Sequence, residues 1–243
     1  MNINKGYKKG VALGCTHGSF IHQKDAHAVA DFADRSGCDT RVHLGDYIDA
    51  TALRGGAGAK DMAVKLSEDM DATLAYLNYF QPTHLINGNH DIRLWELLEH
   101  PNTILATAAK LMIEKIERGL VLTPTFWKKE YSVWDHKQLK FGDCTFMHGF
   151  MYGARAIQEH AQHYGKVVHA HIHRTGIEHA VNAGERVTGY SVGTLADVEQ
   201  LRYAERRKQS MIWGPGCAYF EYNQRECIVH LIEKQGGKWP FPA

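Results

Sequence analysis

Three short apolar segments of this chain run directly into glycine and polar residues. The segments are Val11–Cys15, Thr40–Leu44 and Thr83–Ile86. The residues that follow them are Thr16-His17-Gly18, Gly45-Asp46 and Asn87-Gly88-Asn89-His90. Apolar runs of this length with such ends indicate buried strands that meet loops. Because open α/β sheets place their sites beyond the carboxyl ends of the strands, the pattern predicts a sheet whose edge gathers these polar side chains.

Segments with helical spacing separate the predicted strands. His22–Arg35 repeats apolar residues at helical intervals before Gly37, and Asp61–Phe80 reads as a longer helix of the same kind. Further helices are predicted at Ile92–Glu99, Thr103–Glu117 and Ala154–Tyr164, and further strands at Tyr131–Val133, Gln138–Met147, Lys166–Ala170, Arg186–Val192, Ala218–Tyr222 and Glu226–Ile232. The first part therefore resembles βαβ units and the last part an antiparallel ladder, which makes the chain α/β. We expect one domain over residues 1–243, with a loose tail at 236–243.

The composition excludes several other classes of protein. A hydrophobic fraction of 44% and a charged fraction of 23% are ordinary for a soluble globular domain, and the formal net charge of +1 gives no general attraction to nucleic acid or membranes. The basic N-terminus lacks the apolar run of a signal peptide, and no segment approaches the roughly 20 apolar residues of a membrane span. The 5 cysteines include no Cys-x-x-Cys pair, which argues against a disulfide framework or a zinc ribbon and favours a reducing cytoplasm.

Two later segments add more residues of the types that bind metal ions. His148-Gly149 follows one predicted strand, and His171-Ile172-His173 follows another. Alternate residues of an extended segment point to the same face, so Cys15 with His17, and His171 with His173, can each direct two side chains into one site.

Taken in order, these motifs resemble the calcineurin-like metallophosphoesterase superfamily. Its usual pattern is D-x-H, G-D-x-x-D, G-N-H-[DE], a histidine followed by glycine, and then G-H-x-H. The match spans roughly residues 11–193, and its most specific part is Gly88-Asn89-His90-Asp91. The resemblance implies a two-sheet β-sandwich flanked by helices in four layers, with the site at one end of the sheets. It also implies an enzyme that hydrolyses a phosphate ester with two divalent metal ions.

The resemblance also implies a role for each motif residue. Asp46 would bridge the two metals, while Asp49 would support a ligand rather than bind metal itself. The remaining ligands would be Cys15, His17 and His173 for the first metal, and Asn89, His148 and His171 for the second. His90 would act near the leaving group as a general acid or as a donor to a phosphate oxygen, and Asp91 would orient it.

The sequence departs from the family at its first motif, where Cys15 replaces aspartate. In one interpretation Cys15 binds the first metal as a thiolate, which favours zinc or iron, with manganese possible in the centre. In the other, Cys15 is a small buried residue and the first metal is weak or missing. Ala170 replaces the family's glycine, a small change. Ala50-Thr51 replaces the arginine-glycine pair of the protein Ser/Thr phosphatases, which lowers the expectation of that activity.

The substrate is predicted from weaker features. Arg54 and Arg93 lie close to the metal motifs and are candidates to bind a substrate phosphate. A basic and aromatic segment could contact a phosphodiester backbone and stack bases, or be a solvated surface; it contains Arg202, Tyr203, Arg206, Arg207, Lys208 and Trp213. We therefore expect a phosphodiester of a nucleic acid or nucleotide as substrate. The alternatives are a phosphomonoesterase and a catalytically weakened binding scaffold.

Histidines outside the motifs are interpreted as structural residues with hydrogen-bond partners. They are His43, His84, His136, His160, His163, His169 and His179.

Overall fold

The computed structural model describes residues 6–53, 65–129, 138–201 and 208–242. Its strands are β1 Lys8–Leu13, β2 Thr40–His43, β3 His84–Ile86, β4 Phe126–Lys128, β5 Leu139–Phe141, β6 Cys144–Met147, β7 Val167–His169, β8 Thr175–Asn182, β9 Glu185–Val192, β10 Gly216–Tyr222 and β11 Cys227–Glu233. Its α-helices are α1 Gln23–Arg35, α2 Leu66–Phe80, α3 Ile92–Glu96, α4 Thr103–Gly119 and α5 Ala156–Tyr164. Short 3-10 helices lie at Gly18–Phe20, Thr51–Leu53, Leu97–Glu99, Val198–Gln200 and Lys208–Ile212.

The first sheet has 6 strands in the order β11-β10-β1-β2-β3-β4. Strands β1 to β4 pair in parallel, and β10 and β11 are antiparallel additions beside β1. Val11, Ala12 and Leu13 are fully buried, as expected for a strand inside a sheet that is covered on both faces. The carboxyl ends of β1, β2 and β3 therefore meet at one edge, as the sequence predicts.

The second sheet has 5 strands in the order β5-β6-β7-β9-β8. The predicted antiparallel ladder is correct for the β10–β11 hairpin, and β8, which the sequence pattern does not predict, also pairs antiparallel with β9. The predicted ladder is wrong for β6, β7 and β9, which pair in parallel. Helix α5 connects β6 to β7, and β8 runs back along the sheet before β9, so each connection restores the original strand direction.

Apolar side chains fill the space between the two sheets. Phe146 of the second sheet packs against Phe220 of the first with ring centroids 4.6 Å apart, within a cluster that both sheets share. Helices α1 and α2 cover the outer face of the first sheet, and α5 covers the second sheet. The two-sheet sandwich flanked by helices is therefore confirmed. Within the described ranges, no helix combines the length and apolar character that a bilayer crossing requires.

Several predicted boundaries differ from the structure. The predicted strand Gln138–Met147 is divided into β5 and β6 by a turn at Gly142, where φ is +57° and a Cβ would lie 2.4 Å from the Glu226 carbonyl carbon. Helix α2 begins at Leu66, whereas residues 61–64 of the predicted helix lie outside the described residues. The predicted strand Tyr131–Val133 also lies outside them. The sequence pattern predicts neither β4 nor β8. Strand β4 has only 3 residues, and β8 is a half-exposed edge strand without a strong apolar pattern.

The C-terminal tail is anchored rather than loose, so the expectation for residues 236–243 is wrong for the residues described. Trp239 and Phe241 pack against the cluster under α1. Phe241 stacks on Phe32 at 4.4 Å and on Trp239 at 5.1 Å. The Trp239 indole N–H also donates a hydrogen bond of 3.0 Å to the buried Asp25 carboxylate. Terminal residues that bury aromatic rings gain enough apolar contact to offset the entropy of ordering them.

The anchored tail predicts a measurable loss of stability. Replacing Trp239 by alanine (Trp239→Ala) should lower the free energy of unfolding by about 2 kcal/mol, because it removes a partly buried ring and the hydrogen bond to Asp25. Urea unfolding of the purified variant measures this. Tyr152→Ala is the matched control, since Tyr152 is 85% exposed and its loss should change stability by less than about 0.5 kcal/mol. Equal stabilities for the two variants would show that the tail contributes nothing.

Candidate metal centre

The loops after β1 and β2 run side by side beyond the ends of their strands. The backbone N–H of Cys15 donates to Gly45 O, that of His17 to Asp46 O and that of Gly18 to Tyr47 O, each at 2.9 Å. These bonds continue the parallel pairing of the strands into the loops. The side chains of the two loops are therefore held in a fixed register at the sheet edge.

Many of the predicted ligand residues have left-handed backbone conformations. Their φ angles are positive, between 53° and 70°, at Cys15, His17, Asp46, His171 and His173. Non-glycine residues rarely adopt this region, which costs on the order of 1 kcal/mol or more each. Backbone strain of this kind is typical of functional sites, where the surrounding hydrogen bonds hold the chain in place.

The first group of converging donors consists of Cys15, His17, Asp46 and His173. Their candidate ligand atoms all lie within 4.8 Å of one another, and all four residues are buried. The Nε2 atoms of His17 and His173 lie 3.0 Å apart. The other ring nitrogen of His17, Nδ1, lies 2.9 Å from the Asp49 carboxylate, which directs Nε2 toward the group.

The second group consists of Asp46, His148 and His171, together with the side-chain oxygen of Asn89. The Asn89 Oδ1 atom lies 3.1 Å from His148 Nε2 and 2.9 Å from His171 Nδ1. The Nδ1 atom of His148 lies 2.8 Å from the backbone oxygen of Leu44, so this contact fixes the ring with Nε2 toward the group. Asp46 belongs to both groups.

The electrostatics of Asp46 favour its charged form. Burial acts to raise the pKa of Asp46, but the neighbouring His148, His90 and His17 lower this pKa well below its usual range. The Oδ2 atom lies 3.3 Å from His148 Nε2, and Oδ1 accepts the backbone N–H of His90 at 2.9 Å. Asp46 is therefore a carboxylate at neutral pH, and its Oδ2 atom lies between the two groups, 3.3 Å from His148 Nε2 and 4.0 Å from His17 Nε2.

The histidines that follow β7 are neutral at physiological pH. Burial lowers the pKa of His171 to about 3 and lowers that of His173 well below its ordinary value. A neutral imidazole has a free lone pair for a metal ion. Burial and the negative charge of Asp46 raise the pKa of the Cys15 thiol. Unlike the two histidines, Cys15 is therefore held in a protonated form that must lose its proton before it can bind a metal ion. The Cys15 sulfur also accepts a backbone N–H from His171 at 3.3 Å.

The described contacts of Asp91 differ from those expected of a residue that orients His90. Both of its oxygens accept backbone N–H groups: Oδ2 from Asp46 and Gly88 at 2.6 and 2.7 Å, and Oδ1 from Ile48 at 2.8 Å. Burial and the Asp46 charge raise the pKa of Asp91, and the three N–H donors act against that rise. Asp91 thus fastens the loop after β3 to the loop after β2, and its described hydrogen bonds come from backbone N–H groups.

Asp49 makes described contacts with the His90 ring through both its backbone and its side chain. The His90 Nδ1 atom lies 2.7 Å from the backbone oxygen of Asp49 and 3.2 Å from its carboxylate. The same carboxylate oxygen contacts His17, so Asp49 orients two rings at once. Burial acts to raise the pKa of Asp49, but hydrogen bonds from His17 and His90 lower it. The expectation that Asp49 supports a ligand agrees with this geometry.

The structure describes only one of the two candidate phosphate-binding arginines, Arg93. One guanidinium nitrogen of Arg93 donates to the backbone oxygen of Asp49 at 3.0 Å and lies 3.3 Å from His90 Nδ1. Arg93 is therefore beside the centre and partly engaged in holding its loop. Arg54 lies outside the described residues, as do Arg202, Tyr203, Arg206 and Arg207. Trp213 is described, and its ring lies 4.5 Å from the ring of His173.

Several histidines outside the motifs have structural hydrogen bonds, as expected. His43 contacts Thr16 Oγ1 at 3.1 Å behind the centre. Other contacts involve His84, His160, His169 and His179. His136 lies outside the described residues. The sequence interpretation did miss Asp69, a buried carboxylate of α2 that reaches both metal-site loops. Its signal in the sequence is an acidic residue at helical spacing among buried positions, which is weak.

The donors of both groups fit divalent cations. The Nε2 atoms of His17 and His173 lie only 3.0 Å apart, so a single cation could accept a lone pair from each of them. The buried carboxylates of Asp46 and Asp49, whose pKa values are lowered by neighbouring histidines, place negative charge at the same site. The mixture of thiol, imidazole and carboxylate donors in the first group matches zinc or iron better than calcium or magnesium.

A comparison with protein families agrees with this chemistry. A family model described as "Calcineurin-like phosphoesterase" matches residues 11–181. No curated protein sequence matches the chain. Among solved structures, a single mutant of Vps29 from Entamoeba histolytica matches with a TM-score of 0.46 and 12% identity, covering 95% of each chain. YfcE, a phosphoesterase from E. coli, matches with a TM-score of 0.45 and 14% identity, covering 93% of this chain and 98% of that one. The NAD nucleotidase NadN of Haemophilus influenzae matches with a TM-score of 0.41 and 10% identity, covering 98% of this chain and 54% of that one.

Metal binding should release a proton from Cys15. Because the pKa of this buried thiol is raised, it is protonated at pH 7, and a metal–thiolate bond requires that proton to leave. The parent protein should therefore release about one proton more than Cys15→Asp on binding zinc, and its affinity should rise about tenfold per pH unit as the pH increases. Calorimetry in buffers of different ionisation enthalpy counts these protons. Equal counts would support the alternative, in which Cys15 is a small buried residue.

Proposed function

The chain belongs to the calcineurin-like phosphoesterase family, and from that premise we propose that it hydrolyses a phosphodiester of a nucleotide or nucleic acid with two divalent metal ions. The observation that carries this proposal is the position of Asp46, whose carboxylate belongs to both groups of converging donors. A shared carboxylate offsets the repulsion between two cations that lie close together.

Each ion would have its own set of protein ligands. Cys15, His17 and His173 would hold the first, and Asn89, His148 and His171 the second, with Asp46 between them. When bound, the two ions would polarise the phosphate and lower the pKa of the attacking water. The protein keeps the ligand rings ready for this task, since contacts at Nδ1 of His17 and His148 leave Nε2 directed inward.

His90 is the proposed proton donor to the leaving group. Its Nδ1 atom contacts Asp49, so Nε2 is the nitrogen that we propose would donate to a substrate oxygen. The Asp49 carboxylate also stabilises the positive charge that the ring carries when it is protonated. Arg93 would bind a phosphate oxygen with the guanidinium nitrogens that do not contact Asp49.

Two features support a nucleotide or nucleic acid as the substrate. Ala50-Thr51 follows the second motif where protein phosphatases of the superfamily have arginine and glycine. Trp213 lies against His173, where an aromatic ring beside the centre suits a base or another planar group. The weakened scaffold remains the second candidate, because Cys15 replaces the usual aspartate of the first metal site.

Model phosphate esters test the proposed reaction and its substrate class. We expect hydrolysis of bis-p-nitrophenyl phosphate to exceed that of p-nitrophenyl phosphate when zinc, iron or manganese is supplied. His90→Ala should lower kcat by about 10²- to 10⁴-fold, since it removes the proton donor. His179→Ala, an exposed histidine of β8, is the matched control and should keep the parental rate. Cleavage of the monoester alone would contradict the diesterase assignment, and an unchanged rate in His90→Ala would contradict the role of His90.

The metal preference should depend on Cys15. A thiolate ligand favours zinc and iron over manganese, whereas a carboxylate is a better ligand for manganese. Cys15→Asp should therefore shift both metal content and metal-dependent activity from zinc or iron toward manganese. Metal analysis after dialysis, together with rates measured in each metal, detects the shift. Unchanged selectivity would show that the Cys15 sulfur does not bind the metal.

A further inference from the structure

Asp69 is a buried carboxylate on a helix that carries no proposed metal ligand. It lies in the first turn of α2, and only 1% of its surface is exposed. Isolated buried carboxylates are unfavourable, so such a group needs several hydrogen-bond donors to be stable. Among the described residues, the hydrogen-bond donors that meet Asp69 are backbone N–H groups of the two loops at the candidate metal centre.

One carboxylate joins these two loops. The Oδ1 atom of Asp69 accepts the backbone N–H of Ser19, in the loop after β1, at 3.0 Å. The Oδ2 atom accepts the N–H of Ala50, in the loop after β2, at 2.9 Å, and the N–H of Asp49 approaches Oδ1 at 3.4 Å. Ser19 follows His17 by two positions, and Ala50 follows Asp49 directly.

Gly18 shows how closely the first loop approaches Asp69. Its φ is +51°, and a Cβ at this position would lie 1.7 Å from Asp69 Oδ1. Ala50 on the other loop also has a left-handed conformation, with φ of +48°. His17, on the first loop, is left-handed as well, with φ of +53°. Each loop thus contains a non-glycine residue in a costly conformation, and Asp69 supplies hydrogen bonds to both loops.

The position of Asp49 determines the orientation of two functional rings. Its carboxylate lies 2.9 Å from His17 Nδ1 and 3.2 Å from His90 Nδ1. A displacement of the loop after β2 would therefore move both contacts. The second group of donors is connected differently. His148 is held by Leu44 and by Asn89, and the shared Asp46 is held by Asp91 through its backbone N–H at 2.6 Å. Asp69 takes part in none of these described contacts.

We propose that Asp69 is a positioning residue that selectively stabilises the first metal site and the orientation of His90. This inference rests on the proposed two-metal function. By tying Ser19 to Asp49 and Ala50, Asp69 keeps His17 and His90 directed toward the same centre. The second site, formed by Asn89, His148 and His171 with Asp46, does not depend on it.

Asp69→Asn tests the anchor with little change in shape. The amide keeps one acceptor oxygen, but its NH₂ group faces a backbone N–H and cannot accept it. We expect the variant to lose one of its two zinc ions at a chelator concentration about 10- to 100-fold lower than the parent does, and to retain the other as the parent does. We also expect kcat to fall while KM changes little, because His90 acts in the transition state.

Asp71→Asn is the matched control for the change in charge. Asp71 lies two positions along the same helix, its side chain is 67% exposed, and it pairs with Lys115 at the surface. This variant should bind both zinc ions and turn over substrate as the parent does. Gly18→Ala is a second variant, in which the added Cβ would push the loop after β1 away from the Asp69 carboxylate. It should cause the same selective loss of one ion, and it serves as the test if Asp69→Asn fails to fold.

The outcomes separate this inference from the proposed function. A parent protein that binds fewer than two zinc ions contradicts the two-metal function itself. A parent that binds two, with Asp69→Asn indistinguishable from Asp71→Asn, overturns only the role of Asp69. An equal loss of zinc affinity at both sites in Asp69→Asn would also overturn this role, because it would indicate a general loss of structure rather than a selective effect on the first site.

Discussion

The carboxylate of Asp46 joins the two halves of the metal centre, and the surrounding structure holds this one group in place. Its backbone has a left-handed conformation, and its N–H donates to Asp91 Oδ2 at 2.6 Å. One oxygen accepts the N–H of His90 and the other faces His148. Because donors from the loops after β1, β2, β3, β6 and β7 all converge on this carboxylate, the relative positions of the two sheets determine whether the centre forms.

Four buried aspartates lie near the centre, and the groups that contact each carboxylate determine its role. Asp46 faces imidazoles and is available to cations, whereas Asp91 faces backbone N–H groups and connects two loops. Asp49 contacts two imidazoles and orients them. Asp69 accepts backbone N–H groups from two further loop segments. The identical side chain is thus suited to act as a metal ligand, an orienting group or an anchor according to the donors around it.

The sequence predicted which residues reach the centre but not how each one is turned. Strand ends and glycines locate Cys15, His17, Asp46, Asn89 and His148 at one edge, and this follows from the rules of parallel sheets. The direction of a side chain in a left-handed turn depends on contacts from other loops, so the roles of Asp49 and Asp91 were not separable by motif spacing. Strand β8 and the anchored Trp239 were missed for a related reason: their packing partners lie far away in the sequence.

The central claim is that Asp46 lies between two metal ions, and anomalous diffraction from crystals grown with zinc tests it most directly. We expect two anomalous peaks about 3.5–4 Å apart, both in contact with the Asp46 carboxylate. One of them should lie about 2.3 Å from the Cys15 sulfur, the usual zinc–thiolate distance. A single peak, or two peaks of which either lies away from Asp46, would contradict the account.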